Sequence, residues 1–287
     1  MRSRLLLLIC LVVSCLVGCG ESAYRAGLTR TNAYYRHLQT LDENLSSAFQ
    51  FPPTGRTTVQ VRAPKQFVLT QPDPPQLDAD GYEIPPPEGQ LSPLDQVQPY
   101  YLGIRLPGMA GAWSVQVMTD LGGADEPRPA FLYLMSNEIL RQQQEAADRG
   151  EAAPPEVDPV NMIAAIEETL AGSLGVSIPA GDDGDPDDFN VRFLERYPRN
   201  AAMRQYHEQK TFTEIRFQPD GVVADFDVPY DFHLFEYEAD QGETQVAFLL
   251  VAPQGVIRRE NLPSRMDMML ATMKFARPRS GPPSGTF

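Results

Sequence analysis

All three cysteines of this chain, Cys10, Cys15 and Cys19, fall within its first nineteen residues. No disulfide can therefore tie the rest of the chain together, no cysteine can ligate a metal there, and no thiol nucleophile is available. Everything after Cys19 must be held by buried apolar surface alone. A chain of 287 residues, 42% hydrophobic, is long enough to build one large domain or two small ones on that basis.

The cysteines sit in a segment with the layout of a secretory signal. Arg2 and Arg4 supply a positive start, and Leu5 to Val17 are almost wholly apolar. That run is shorter than the roughly 20 residues a membrane-spanning helix needs. It reads as a signal to be removed. Leu16, Val17, Gly18 and Cys19 resemble the bacterial lipobox, in which small residues precede a cysteine that is joined to a diacylglycerol. The resemblance implies cleavage before Cys19 and a lipid-anchored envelope protein. Val12, Val13, Ser14 and Cys15 also match the pattern, but cutting there would leave apolar Leu16 and Val17 leading the mature chain, whereas Gly20, Glu21 and Ser22 open a polar one. An ordinary secretory signal and an uncleaved anchor are the competing readings. Gly20 is not the aspartate that resembles an inner-membrane retention signal, so the resemblance points to the periplasmic side of the outer membrane.

Removing residues 1–18 takes two of the 24 basic residues and none of the 38 acidic ones, moving the formal net charge from −14 to −16. Such a surface repels nucleic-acid phosphates and anionic lipid head groups. The expected partners are the membrane, through the lipid, and a protein or cell-wall component.

Along the mature chain, Tyr24, Leu28, Tyr35, Leu38, Leu41, Leu45 and Phe49 recur at helical spacing, which predicts a helix over 24–49 within an anchor region 19–50, ended by Pro52 and Pro53. It could pack on a domain, or serve as a stalk or partner-binding helix. A single domain is expected over 56–277. Strands are read at TTVQVRA, QFVLT, YYLGIRL, WSVQVMT and AFLYLMS, the last three parted by the turns PGMAG and LGGADEPRP. Residues 71–99, with eight prolines, read as an extended loop outside any sheet. Ser136 can cap a helix NEILRQQQEAADR, and Asp158 with Pro159 can open another whose buried side is Met162, Ile163, Ile166 and Leu170. Residues 190–210 mix helical and loop character. TEIRFQ, VVADFDV, FHLFEYE and TQVAFLLVA read as strands, with a turn at 219–221. The apolar run Val246–Val251 suits a central strand buried on both faces. SRMDMMLATMKF reads as a closing helix, and 278–287 as a loose tail.

These elements predict an α+β fold: a mainly antiparallel sheet of about seven to nine strands with packed helices, preceded by an N-terminal helix. VQVRAPKQF, and FLLVAP leading to MLATMKF, are similar to the opening and closing segments of PsbP-like α/β/α sandwiches. That resemblance implies a docking module with no shared catalytic set.

Three patterns invite a chemical reading. Ala171-Gly172-Ser173-Leu174-Gly175 has the spacing of a hydrolase nucleophile elbow, with Asp182 or Asp185 and His207 or His233 downstream; an elbow needs a strand before the serine, and here a helix precedes it. HEQK at 207–210 lacks the second histidine of a zinc helix, which leaves only the distant His37, His207 and His233. In the acidic loop 181–188, Asp183, Asp185 and Asp187 alternate as calcium ligands would, but Asp188 stands where the loop should have glycine and Leu194 where it should have glutamate. Glu236, Glu238 and Glu243 read as the solvated face of strands. Trp113, Tyr100 and Tyr101 are either core or interface aromatics. The expectation is a non-catalytic, lipid-anchored binding or assembly module without a cofactor; the alternatives are a serine hydrolase using Ser173 or a calcium-binding module.

Overall fold

The computed structural model describes residues 2–52, 57–70, 104–121, 125–181, 184–185, 188–219 and 228–276, with the side chains of the first helix described from residue 22. The proline-rich stretch 71–99, VVADFDV apart from Val228, and the tail 278–287 lie outside these residues. The chain divides into two units, Met1–Asn44 and Leu45–Phe287.

The first unit is one helix, α1 (Arg2–Asn44). Tyr24, Leu28, Tyr34 and Tyr35 on it are all exposed. The helix stops short of the expected Phe49, because Phe49 enters a strand, β1 (Phe49–Phe51), that pairs with β2 (Thr58–Val61). Cross-strand pairing overrides the helical period there. No helix among the described residues is long and apolar enough to cross a membrane.

The second unit is an α+β fold around a seven-stranded antiparallel sheet in the order β3-β4-β5-β9-β8-β7-β6, with a three-stranded sheet β1-β2-β10 beside it. The remaining strands are β3 (Val68–Leu69), β4 (Met109–Asp120), β5 (Asp125–Ser136), β6 (Val191–Tyr197), β7 (Lys210–Phe217), β8 (Tyr230–Ala239), β9 (Thr244–Pro253) and β10 (Lys274–Ala276). The helices are α2 (Asn137–Asp148), α3 (Met162–Leu174), α4 (Ala201–Arg204) and α5 (Leu262–Thr272). β9 is the middle strand and every one of its residues is buried, as its unbroken apolar run requires.

Alternation along the strands gives the sheet two faces. On one, Phe131, Tyr133, Leu234, Ala247 and Leu249 pack against Met162, Ile166 and Leu170 of α3 and Leu140 of α2. On the other lie Leu132, Leu134, Phe235 and Phe248, with α5 against β6 and β2. Trp113 belongs to that second face: it is buried with Phe49 edge-on at 5.2 Å, a core residue. Tyr100 and Tyr101 lie outside the described residues.

Several segments differ from expectation for local reasons. Ile104 and Leu106 are buried without forming a strand, and the turn after them is confined to Pro107 and Gly108. Gly108 has φ +68, and a Cβ there would stand 2.6 Å from the Met162 sulfur and 2.8 Å from the Ser136 carbonyl. Met109 to Gly111 then enter β4 through a register shift. Pro127 and Pro129 lie inside β5 instead of in a turn. β5 pairs with β9 only from Phe131 onward, so the prolines occupy a one-sided overhang where no second ladder needs their missing N–H groups. Residues 191–197, read as mixed, form the edge strand β6, whose buried positions Phe193 and Tyr197 carry the alternation. Lys274 to Ala276 leave the closing helix to pair with β2.

The two middle helices begin and end where their sequences specify. Ser136 caps α2, accepting from the Glu138 N–H at 3.4 Å. Asp158 accepts from the Val160 N–H at 3.0 Å and caps a 3-10 turn, Pro159–Asn161, that leads into α3, and Gly175 at φ +67 ends α3. Ser136→Ala is expected to lower stability by about 1 kcal/mol, read as a lower urea midpoint at unchanged slope.

Candidate functional site

A groove of about 670 Å³ runs along α3, walled by that helix, by Val176 to Ile178 after it, and by Glu238 and Gln245 of β8 and β9. Its base is tied together by Gln245, which is buried. The Gln245 side-chain amide donates to the Val160 carbonyl at 2.8 Å and to Glu238 Oε1 at 2.9 Å, and its oxygen accepts from the Ile163 N–H at 3.3 Å. The Gln245 backbone N–H donates to Asn137 Oδ1 at 3.1 Å, so one residue of β9 fixes the first turns of both α2 and α3.

The groove wall contains a carboxyl pair. Glu167 of α3 receives a guanidinium N–H from Arg192 of β6 at 2.5 Å. Behind it is Glu236 of β8, 5% exposed. Burial raises the Glu236 carboxyl well above the usual carboxylate range; the negative charge of Glu167 adds to this, and the charge of Arg192 only partly offsets it. Burial and the neighbouring Glu167 carboxylate thus favour the protonated form of Glu236, whose Oε1 is buried without a hydrogen-bond partner among the described residues. This corrects the reading of Glu236 as part of a solvated face. Glu238 is exposed at the groove rim, and Glu243 pairs with Arg141 at 3.0 Å. A signal was present: Glu236 follows Phe232 and Leu234 at two-residue spacing, which puts it on the buried face.

The opposite face of the sheet holds a second acid, Glu214 of β7, at 1% exposure. Arg199 Nη2 and the Tyr197 hydroxyl donate to its Oε2 at 2.8 and 2.7 Å, and Arg216 Nε donates to Oε1 at 2.8 Å. Burial alone would raise this carboxyl. The contacts from His233, Arg216 and Tyr197 outweigh burial and hold it down at about 2. His233 Nδ1 is 3.7 Å from Oε1, beyond hydrogen-bond length, so its help is electrostatic, whereas the guanidiniums act directly. Tyr197, buried beside a carboxylate, has its pKa raised and remains a hydroxyl.

Among the described residues, the remaining predicted site residues do not assemble. Ser173 lies exposed in the last turn of α3, with the Val176 N–H reaching back to the Ala171 carbonyl at 3.2 Å, as in a helix stop. His233 alternates with Phe232 and Leu234, which pack toward α3, so it points to the far side of the sheet from the helix that carries Ser173. His207 follows α4, its N–H bonded to the Met203 carbonyl at 3.1 Å. Asp182, Asp183 and Asp187 lie outside the described residues, and Asp185 is placed by a backbone bond from Asp188 at 3.0 Å. Among the described residues no three histidine, aspartate or glutamate side chains gather as a metal site. Cys19 lies in α1, where its side chain is outside the description. No family model, curated protein or solved structure matches the chain.

Proposed function

We propose that this chain is a lipid-anchored envelope protein in which Cys19 carries the lipid and the second unit acts as a non-catalytic binding module. The observation that carries this reading is the Leu16–Cys19 step, where an apolar run with basic residues before it gives way to a polar chain with no further cysteine. The module reading is supported by the use of the buried acids: Glu214 is bonded by two arginines and a tyrosine, and Glu236 is enclosed beside the Glu167–Arg192 ion pair. Both serve to fix the scaffold. The groove beside α3, with apolar walls and the exposed rim carboxylates Glu168 and Glu238, is the surface offered to a partner.

The test is intact mass and membrane fractionation of the native protein beside Cys19→Ala. The native chain is expected to begin at a diacylglyceryl-modified Cys19 and to sediment with membranes. The alanine form is expected to lack the lipid. A native chain without lipid would remove the anchor, and a lipid retained in the alanine form would move it to Cys15.

A further inference from the structure

The large apolar residues of α1 are not scattered around it. At about 100° per residue, Tyr24, Leu28, Tyr34, Tyr35 and Leu38 fall within an arc of about 120°. Exposures of 67% for Tyr24, 45% for Leu28, 46% for Tyr34 and 64% for Tyr35 leave this stripe largely uncovered. The arc is bordered by Arg25 and Arg36 on one side and Arg30 on the other. Residues 22–41 contain those three arginines and no aspartate or glutamate, in a chain whose net charge is −14. A basic segment in so acidic a protein marks a surface selected for an anionic neighbour.

We propose that the Tyr24–Leu38 face of α1 lies on the surface of the bilayer, with the tyrosines and leucines at the headgroup level and Arg25, Arg30 and Arg36 directed to anionic lipid phosphates. Tyrosine suits this position because its ring is apolar and its hydroxyl stays wet. Arginine suits it because its long stem lies along apolar surface while the guanidinium reaches phosphate. The proposal rests on lipidation at Cys19, which would bring the helix to the membrane. Tyr24 follows that residue by about 7 Å of helix rise. The lipid and the basic amphipathic face then act as two membrane signals in series.

The confinement of cysteines to residues 10–19 supplies the test, since an introduced cysteine is the one thiol open to labelling in a mature chain whose Cys19 is lipidated. Full-length Leu28→Cys, Tyr35→Cys and Ala33→Cys proteins, the last on the opposite side of the helix, would carry a nitroxide. They would be reconstituted in phosphatidylcholine vesicles with and without phosphatidylglycerol. Collisions with oxygen, which concentrates in the bilayer, and with a water-soluble nickel chelate report depth. The oxygen-to-nickel ratio is expected to be at least about twofold higher at positions 28 and 35 than at 33, and the contrast to grow with phosphatidylglycerol. Equal ratios at the three positions would show a stalk standing in water and overturn the proposal. A contrast that follows protein concentration instead of lipid would show helix pairing between copies and overturn it too. Uptake of nitroxide by the unsubstituted chain would show a free Cys19 and overturn the anchor reading together with the helix proposal, whereas a blocked Cys19 without contrast overturns the helix proposal alone.

Discussion

Glu214→Ala is expected to lower folding stability by about 3–5 kcal/mol at pH 7, the range for removing one partner of a buried ion pair. The side chain is 2% exposed and is the shared acceptor for Arg199 and Arg216, whose guanidiniums lie 2.8 Å away. Its removal leaves two cations and the Tyr197 hydroxyl facing each other across an emptied site. The depressed pKa gives an independent size for the effect: a fall from 4.5 to about 2 corresponds to about 3 kcal/mol. Because the folded state binds this proton less readily than the unfolded chain, the stabilisation is complete above about pH 4.5 and is lost as pH falls through about 2. Guanidinium unfolding at a series of pH values should show the native protein losing stability across that acid window and the alanine form losing much less. An alanine form with the native acid profile would mean that another carboxyl governs it.

The parts of the fold that were legible in the sequence are those specified by neighbours along the chain. α2 and α3 could be read because a cap residue, a one-sided apolar period and a left-handed glycine stop all act within a few residues of one another. β9 could be read because a strand covered on both faces needs no polar positions. β6 was obscured because Leu194 and Arg196 are exposed at the sheet edge, so the segment's character resembles that of a loop, and Pro198 follows at once. The carboxyl pair was hidden for a different reason: Glu167, Arg192 and Glu236 come from α3, β6 and β8, and nothing within any one segment announces the other two. A glutamate on a strand looks solvated until the helix that covers its face is placed. The same holds for Ser173 and His233, whose order along the chain suits a hydrolase but whose elements put the sheet between them.

Glu236→Gln is expected to stabilise the protein at alkaline pH, by about 1–3 kcal/mol at pH 8, the scale of an unsatisfied buried polar group. Facing Glu236 are Glu167 from α3, Arg192 from β6 and Glu238 from its own strand. With its proton, Glu236 is neutral beside the Glu167 carboxylate, and Arg192 balances the single charge. Without it, two carboxylates face one guanidinium in a dry interface, with Glu238 adding a third negative charge nearby. The folded state therefore holds this proton more tightly than the unfolded chain. Its contribution is fully present below the unfolded value of 4.5 and is lost as pH rises through the raised folded value, the reverse of the Glu214 effect. Glutamine keeps the shape and stays neutral beside Glu167 at every pH, so the alkaline loss should vanish while stability below pH 4.5 changes little. Urea unfolding from about pH 4 to about pH 9 distinguishes the cases. Parallel profiles for the two proteins would mean that Glu236 does not carry the proton. Converging acid limbs with a flat alkaline limb in the variant would identify protonated Glu236 beside Glu167 as what holds α3, and the groove it walls, against the sheet.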